Sequence, residues 1–423
     1  MFDTEQKFSI MLTLGSIGTS NIDNKDIIDC YFVEDIYGFC SSGKLIFNDI
    51  YGVLEFGPFT GNEYITIVYG TMEEKIRVFE IFKVNRVQQL SAGTESGVGG
   101  TFEVSFVDSI FSKMTRKRFS LSWSNKKIST IIRDITENIV GITTFNEFEE
   151  TSNTLPYFYS PYWTPQESIS WLLKRGRSSV NGKAGYLYWY NNVQGINYVT
   201  LETLLSNKII LKLPVGTKTS NESIWSILWF EKGKGVYGHD INRILGWEIL
   251  GIDNTGTKDV FGKHLLGYDS STKSFINNSY KYSDSIKNYT MLGESTLFTI
   301  DVDNEDSEYV LEGESDSEML NNIYYNDFIK KYSVQQCISV LLPGHEGRYP
   351  GAMVEIKWPT SSVGIAPTEL FNKNMIGKSL IKSITHSFSP DLAIGYRQRV
   401  VLIKNAYWES DYADLIKSTN ANY

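Results

Sequence analysis

Short segments in which apolar and polar residues alternate dominate the first hundred positions of the chain. KFSIMLTL (7–14), EYITIVYG (63–70) and TFEVSFVD (101–108) place apolar residues at every second position, the pattern of a half-buried strand. Similar segments occur at IIDCYFV (27–33), GKLIFNDI (43–50) and KIRVFEIFKVNRV (75–87), and SAGTESGVGG (91–100) is predicted to form a long flexible hairpin tip. This succession of short strands predicts a small antiparallel barrel.

A helical period replaces the alternation after residue 110. In SNKKISTIIRDITENI (124–139), isoleucines recur on one helical face, and Ser124 is the predicted N-cap. PYWTPQESISWLLKRG (161–176) predicts a second helix over 165–175. Thr164 and Glu167 have the spacing of a capping box, Pro165 sits at the first helical position, and Gly176 ends the helix.

Between residues 145 and 333 the sequence predicts a loop, a hairpin, a polar segment and a further helix. FNEFEETSN (145–153) is predicted as an acidic loop, and GYLYWYNNVQGINYVTL (185–201) as a strand, a turn and a strand. Residues 253–315 are polar and weakly periodic, which indicates a surface insertion. DSEMLNNIYYNDFIKKYS (316–333) is predicted to be helical, with a loose apolar face formed by Met319, Ile323, Phe328 and Ile329.

The strands after residue 334 repeat features of the first β region. GNEYITI (61–67) is similar to PGAMVEI (350–356), and EIFKVNRV (80–87) is similar to SLIKSITH (379–386), in the same order. A closing strand follows each pair. Because the order is kept, we predict one barrel present twice, with the second copy split by an insertion.

The predicted fold class is therefore mainly β with α+β insertions. It comprises two similar small antiparallel β-barrels, the second discontinuous, with helical decorating domains. The predicted domains are a first barrel (1–110), a mixed α+β domain (111–210), a second barrel (211–252 and 335–408), a polar insertion with a helix (253–334) and a C-terminal tail (409–423).

Composition narrows the classes of function. The net charge of −9 argues against a broad nucleic-acid-binding surface, which is usually basic. Two local basic patches, KMTRKRF (113–119) and LLKRGR (172–177), are interpreted either as solvated surface or as a contact for an acidic partner protein. No apolar run is long enough to span a bilayer, and the first ten residues do not resemble a signal peptide. We therefore expect synthesis in a cytoplasm and a soluble chain.

The residues suited to chemistry are sparse and scattered. The three cysteines (Cys30, Cys40 and Cys337) do not form a disulfide framework, and the four histidines (His239, His264, His345 and His386) lack metal-ligand spacing. The acidic stretches 145–150 and 301–318 could supply the paired carboxylates of a glycan hydrolase, but solvated loops are the simpler interpretation. We assign no catalytic, cofactor-binding or metal-binding residues and expect no cofactor.

Three stretches resemble the baseplate hub protein of contractile-tailed bacteriophages, a family that shares its fold with the base of type VI secretion spike proteins. VEDIYGFCSSGKLIFND (33–49) resembles an early segment with a Tyr-Gly turn and an L-x-F strand. PYWTPQESISWLLKRG resembles the segment where Trp-Thr or Trp-Ser precedes a helix. KSLIKSITHSFSPDLAIGYRQRVVLI (378–403) resembles the closing hairpin. The insertion at 253–315 departs from the family pattern.

The resemblance implies a structural role. Hub chains contain two similar barrels, so three copies present six, and a homotrimeric ring adapts the sixfold tail tube to the threefold central spike. The helical block would support the ring from outside or below. Because the sequence has no lysozyme domain and no repetitive needle, a separate chain would supply the spike tip.

The partners implied are the central spike, a tail-tube or tube-initiator protein, other baseplate (wedge) proteins and the tape-measure protein, in the virion baseplate. We expect no enzymatic activity, no membrane segment and no specific nucleic-acid binding, because a channel for DNA should expose more Asp and Glu than Lys and Arg. The alternative is a tail-associated carbohydrate-binding or glycan-hydrolysing protein.

Overall fold

The computed structural model describes most of the chain. The described residues are 7–14, 18–49, 52, 61–70, 73–89, 100–191, 194–207, 226–227, 245–250, 263–269, 272–280, 289–292, 308–310, 317–356, 377–390 and 395–406. Most of the predicted hairpin tip (91–100), most of segment 224–238 of the predicted second barrel, and the predicted tail (409–423) lie outside the described residues.

Strands outnumber helices in the described residues. The strands are β1 (Lys7–Leu14), β2 (Gly18–Ile22), β3 (Ile27–Asp35), β4 (Ser42–Asp49), β5 (Tyr64–Gly70), β6 (Lys75–Gln89), β7 (Gly100–Asp108), β8 (Ser122–Lys127), β9 (Phe145–Phe148), β10 (Thr154–Tyr159), β11 (Tyr186–Asn191), β12 (Gly195–Thr200), β13 (Ser226–Ile227), β14 (Gly246–Ile249), β15 (Lys263–Asp269), β16 (Ser274–Tyr280), β17 (Glu308–Val310), β18 (Gln336–Pro343), β19 (Met353–Ile356), β20 (Gly377–Phe388) and β21 (Tyr396–Lys404).

Five α-helices accompany these strands in the described part. They are α1 (Ile110–Thr115), α2 (Ile128–Asp134), α3 (Pro165–Leu173), α4 (Leu201–Ser206) and α5 (Ser317–Tyr332). A π-helical turn (Ile135–Val140) continues α2, and a short 3-10 turn (Asn24–Asp26) precedes β3. Among the described helices, none is both long and apolar enough to cross a bilayer.

One 13-stranded sheet forms the centre of the molecule. Its order is β14-β18-β21-β20-β3-β4-β7-β6-β5-β1-β2, with β19 pairing to β20 and β13 pairing to β19. Apart from the parallel β13–β19 pair, its pairings are antiparallel. The fold is thus mainly β, as predicted, although the described strands form a continuous sheet and not a closed barrel.

The same order of strand pairing occurs twice in this sheet. We call β3-β4-β7-β6-β5-β1 the first unit and β14-β18-β21-β20-β19-β13 the second unit. Corresponding strands also follow one another in the same order along the chain. The two units differ in the last pair, which is antiparallel for β1–β5 and parallel for β13–β19. This repeat agrees with the sequence similarity of 61–67 and 80–87 to 350–356 and 379–386.

A bulge bends the long strand of each unit at a similar place. The register of β6 against β7 shifts between Ile81 and Lys83, and that of β20 against β21 shifts between Ile381 and Ser383. A bulge inserts one residue and increases the local twist. As a result, β20 pairs with β19 before its bulge and with β3 after it. That second pairing joins the second unit to the first.

A separate apolar core supports the helical block between the units. Ile131 of α2, Ile135 of the π-helical turn, and Ile169 and Leu172 of α3 are buried together with the inner face of the β11–β12 hairpin. The predicted capping box on α3 is confirmed. Thr164 Oγ1 accepts from the Glu167 N–H at 3.2 Å, and the Glu167 carboxylate accepts from the Thr164 N–H at 2.7 Å.

Two local predictions were wrong. Ser124 is not a helix cap, because it lies within β8 and the helix begins at Ile128. Residues 145–148 of the predicted acidic loop form β9, which pairs in parallel with β12. In both cases pairing with a distant strand decided the structure, and such pairing has no local sequence signal. Within the segment 253–315, predicted as a surface insertion, β15 pairs with both β16 and β17.

Candidate functional site

A group of charged and polar side chains is buried where β3 of the first unit meets β20 of the second. Its centre is Arg77 on β6, whose side chain is 1% exposed. Arg77 donates to Glu34 Oε1 at 2.5 Å and to Ser41 Oγ at 2.9 Å, and its guanidinium lies 3.6 Å from the Asp108 carboxylate. Asn191, from the helical block, donates to the same Glu34 oxygen at 3.1 Å. The group therefore joins three parts of the chain.

A chain of hydrogen bonds extends this group into the second unit. The second Glu34 oxygen lies 3.3 Å from His386 Nε2, and His386 Nδ1 lies 2.8 Å from the Tyr396 hydroxyl. Gln398 donates to the Tyr396 hydroxyl at 2.9 Å and accepts from Arg348 at 2.6 Å. A neutral His386 that donates from Nε2 and accepts at Nδ1 satisfies both of its contacts. We call the whole group the polar junction.

Burial and neighbouring charges set the titration of the polar junction. Burial alone would raise the pKa of Glu34, but the Arg77 charge and the His386 hydrogen bond outweigh it and lower the pKa to about 2. Burial raises the pKa of Asp108 to about 6 even though Arg77 is close. Burial also lowers the pKa of His386, which favours the neutral imidazole. Around Arg77, the junction therefore places a cation between two carboxylates of unlike acidity.

The polar junction is built for packing rather than for access to a substrate. His386 stacks on Phe32, with ring centroids 4.3 Å apart, and Arg77 lies over the rings of Phe32 and Phe79 at 5.3 and 5.4 Å. Glu34, Arg77, Asp108 and His386 are all buried. A general acid or base must reach its substrate within hydrogen-bond distance. The arrangement therefore supports a structural role.

Sequence reasoning did not identify the polar junction. His345 and His386 come together there through Gln398, whose side chain bonds the His345 backbone. Of the other two histidines, His264 is on β15, and His239 lies outside the described residues. Arg77 occupies an inward position of a strand whose outward positions, Ile76 and Val78, are also apolar. The sequence pattern therefore gave no sign of which face was buried.

Another buried carboxylate, Glu149, belongs to the acidic stretch at 145–150. Glu149 is 6% exposed, and it accepts from the Thr200 N–H at 2.9 Å, the Thr203 hydroxyl at 2.8 Å and the Ser178 hydroxyl. Its neighbour Glu150 pairs with Lys127 at 3.2 Å on the surface. The prediction of a solvated loop was wrong for Glu149, which fixes the start of α4 and the loop at 178–181.

The remaining predicted groups do not assemble into a chemical site in the described residues. Cys30, Cys40 and Cys337 are free thiols, and no cluster of three or more His, Cys, Asp or Glu side chains could hold a metal ion. A cleft between the helical block and α5 is lined by Arg177, Lys183 and Glu318, among others. Glu318 pairs with Arg177 at 3.3 Å, so this cleft does not present a pair of free carboxylates.

Strands β6 and β14 each have an unpaired edge in the described part of the sheet, as do β2 and β13. After its bulge, β6 pairs only with β7, whereas the corresponding part of β20 pairs on both sides, with β21 and β3. Strand β14 pairs only with β18, whereas the corresponding β3 pairs with both β4 and β20. The edge strand β14 also exposes Trp247 (53%) and Ile249 (56%). Open edges that carry apolar side chains are suited to pairing with another chain.

Comparison with known proteins gives structural matches only. No protein-family model matches the chain, and no curated protein sequence matches it. The tail protein from Neisseria meningitidis MC58 matches with a TM-score of 0.56 and 10% identity, over 96% of this chain and 98% of that one. The 43 kDa tail protein of prophage MuSo2 from Shewanella oneidensis matches with a TM-score of 0.54 and 9% identity, over 96% and 98%.

A third match is an E. coli component of the type VI secretion system, with a TM-score of 0.42 and 10% identity, over 91% of this chain and 76% of that one. The two tail proteins match over nearly their entire lengths, so the likeness concerns the whole architecture. The chain has the fold of these phage tail proteins, which confirms at the level of fold the hub-type architecture that the sequence resemblance implies.

Proposed function

We propose that the chain is the structural baseplate hub of a contractile phage tail or a related injection system. Three copies form a ring that adapts a sixfold tail tube to a threefold central spike and lines the channel for DNA. The chain is placed in the virion baseplate after synthesis in the host cytoplasm. Its further partners are tube or tube-initiator, wedge and tape-measure proteins. The match to two tail proteins supports this proposal.

The observation that carries the proposal is the pair of complementary open edges. Within the chain, the second unit joins the first because β20, after its bulge, pairs with β3. In the pairing orders of the two units, β6 corresponds to β20 and β14 corresponds to β3. A like joint between the first unit of one chain and the second unit of a neighbouring chain would therefore pair β6 with β14. Each of these strands has an open edge in the described residues, as do β2 and β13. In the proposed ring, β6 of one chain pairs with β14 of its neighbour.

This joint explains why three chains would imitate sixfold symmetry. Each chain supplies two units with the same pairing order, which we propose to be the two barrels. If the joints within and between chains are alike, the units are related by nearly equal rotations. Three chains then close a ring of six units, and closure pairs the open edges of β6 and β14.

Cysteine cross-linking tests the joint directly. Asn85→Cys on β6 and Glu248→Cys on β14 place thiols on the two edges, and the natural cysteines are buried or half-buried. We expect a cross-link between chains in assembled particles, detected in a mixture of ¹⁴N- and ¹⁵N-labelled protein. A link confined to one isotope would contradict the proposal, as would a monomer or dimer on the tube axis.

A charge substitution on the edge provides a second test. Trp247→Lys with Ile249→Lys should prevent ring formation, because charged side chains on an edge strand oppose pairing. The matched control is Tyr268→Lys with Phe275→Lys, which changes two exposed aromatic residues on the β15–β16 hairpin. Native mass spectrometry of the chain co-expressed with its spike should give trimers for the control and none for the edge variant. Equal assembly of the two variants would contradict the joint.

The channel wall gives an independent expectation. A hub must let DNA pass without holding it, so the inner strands should carry more Asp and Glu than Lys and Arg. We expect no mobility shift of duplex DNA with the purified trimer at physiological salt. A salt-sensitive shift would contradict this feature of the proposal while leaving the ring intact.

A further inference from the structure

A strongly basic stretch follows the first unit directly. Residues 109–133 contain seven Lys and Arg and no Asp or Glu, in a chain of net charge −9. Part of this stretch, residues 118–127, pairs with residues 154–163, which also lack acidic residues. We call this two-stranded element the basic ribbon. It belongs to neither unit of the sheet and plays no part in the proposed ring joint.

The two faces of the basic ribbon differ sharply. On the inner face, Trp123 stacks on Phe158 at 5.6 Å, and Phe158 packs against Trp171 of α3. Side chains alternate along strands, so the neighbouring residues point outward. Tyr157 and Tyr159 are 61% and 48% exposed, and they lie opposite Ser124 and Ser122. The inner face therefore fixes the ribbon, while the outer face presents tyrosines to solvent.

A third exposed tyrosine is held in a strained conformation at one end of the ribbon. Tyr162 has a φ of 60° and is 64% exposed. An aromatic residue in this left-handed region costs about 1–2 kcal/mol relative to the usual backbone. Its carbonyl accepts from Arg118 at 3.2 Å, and Arg118 lies 5.9 Å from its ring centre. Because the ring is not buried in the core, folding gains little from this tyrosine.

Several cations near the ribbon are free to meet a ligand. Lys117 donates to the Ile139 carbonyl, and Lys127 pairs with Glu150. Lys126 lies on the ribbon, Lys113 and Arg116 precede it in the chain, and all three are exposed and form no ion pair in the described structure. The ribbon and the residues just before it thus carry positive charges that the chain itself does not neutralise. Such a surface favours a negatively charged ligand.

We propose that the outer face of the basic ribbon binds an acidic segment of another protein. Tyrosine and arginine dominate the energetics of protein interfaces, and exposed lysines add electrostatic attraction. A nucleic acid would extend beyond this patch onto a chain that is acidic overall. A twofold contact between two ribbons would place like charges together. A short segment rich in Asp and Glu fits both the charge and the size of the patch.

The test uses the full chain and a fluorescent peptide of alternating Glu and Ser residues, with a Gln–Ser peptide as the uncharged control. Fluorescence anisotropy should show binding of the Glu–Ser peptide only. Tyr157→Ala with Tyr159→Ala should weaken it about tenfold, as truncated hot-spot residues do. Arg116→Glu with Lys126→Glu should abolish it. Tyr268→Ala with Phe275→Ala and Lys378→Glu are matched controls elsewhere on the surface and should change nothing.

Tyr162→Gly separates binding from folding. Glycine adopts a positive φ without strain, so the melting temperature should stay the same or rise. Binding of the Glu–Ser peptide should nevertheless fall. Unchanged binding in this variant would contradict a role for Tyr162 as an anchor.

Three other outcomes would overturn the proposal. They are equal or absent binding of the two peptides, tighter ribbon-dependent binding of single-stranded oligothymidylate, and a change in oligomeric state caused by the ribbon variants. The first excludes an acidic ligand, the second indicates a nucleic-acid surface, and the third indicates a contact between copies. Because the ring joint is tested on β6 and β14, failure of either proposal can be recognised separately.

Discussion

The first and second units have the same order of strand pairing but different interiors. The core of the first unit contains nine aromatic residues among nineteen, including Phe32, Phe79 and Phe106. The core within the second unit consists of eight aliphatic residues, such as Ile384 and Val400. Two aromatic residues of β20 and β21, Phe388 and Tyr396, pack into the first core instead. The polar junction lies where the two units meet, with its centre at Arg77 of the first unit.

This difference shows that backbone pairing and side-chain packing depend on different properties of the sequence. Antiparallel pairing requires extended backbones of suitable length, which many sequences provide. The interior requires only that its volume be filled without voids. The two units could therefore keep one topology while their cores diverged. The first unit is the more specialised, since its core also contains the contact with the second.

The largest effect on stability is expected from Arg77→Met. Removing the guanidinium leaves Glu34 and Asp108 buried without their cation, which costs about 3–5 kcal/mol of unfolding free energy. The control is Arg399→Met on the second unit. It breaks an exposed pair with Glu248 and should cost about 0–1 kcal/mol. Urea denaturation measures both, and a similar loss in the two variants would show that the polar junction contributes little.

Glycine substitutions test how tightly each unit is packed. A Cβ added at Gly43 on β4 would lie 2.6 Å from the Phe106 ring and closer still to the Tyr31 carbonyl. Gly43→Ala should therefore cost about 1–3 kcal/mol. A Cβ at Gly246 on the edge strand β14 meets only Leu341, at 3.8 Å. Gly246→Ala should change stability by about 0.5 kcal/mol or less, and a larger loss would show that this edge is already covered.

Most strands, the repeat and α3 could be predicted from the sequence, because the apolar–polar alternation and the capping motif each involve only a few neighbouring residues. The Thr164–Glu167 box could be found for this reason. Two features depend on distant pairing and could not be found. Ser124 has the chemistry of a cap, but pairing with Tyr157 keeps it in a strand. Glu149 resembles a solvated carboxylate until strands and loops from 178–203 surround it.

Removing the capping box should lower the stability of the helical block, which is part of neither unit. Thr164→Ala with Glu167→Ala should cost about 1–2 kcal/mol, because two backbone donors at the start of α3 lose their acceptors. Gln166→Ala with Ser170→Ala on the same helix is the control and should be nearly neutral. The loss should add to that of Gly43→Ala, since the sites share no contact. Unchanged stability would show that the box does not hold the helix.

The smallest effect concerns the pH dependence of stability. Among the described residues, the core within the second unit is aliphatic, and two titrating groups, Asp108 and His386, belong to the polar junction. Asp108 has a folded pKa of about 6 against a usual 3.8, so the folded state binds its proton more tightly. Its contribution to stability is therefore lost as the pH rises from 3.8 to about 6.

His386 and Glu34 act in the opposite direction. The pKa of His386 is lowered by burial, so the unfolded state takes up its proton first and stability falls as the pH drops below 6.5. Glu34, with a pKa of about 2, loses its contribution only as the pH falls from 4.5 towards 2. Between pH 4.5 and 6, Asp108 and His386 therefore oppose each other.

Asp108→Asn removes one side of this balance. The amide oxygen can still accept from the Ser41 N–H, which bonds Asp108 at 2.8 Å, so the local geometry should persist. Relative to the natural chain, the stability of Asp108→Asn should rise more steeply with pH between 4.5 and 6, because the contribution of Asp108, which falls over this range, is removed. Relative to the natural chain, the stability of His386→Gln should rise less steeply over the same range, because the contribution of His386 is removed while His345, whose pKa is also lowered by burial, is common to all three proteins. Urea denaturation at several pH values measures both slopes, and parallel profiles for the two variants would show that the two groups do not titrate against each other in the folded protein.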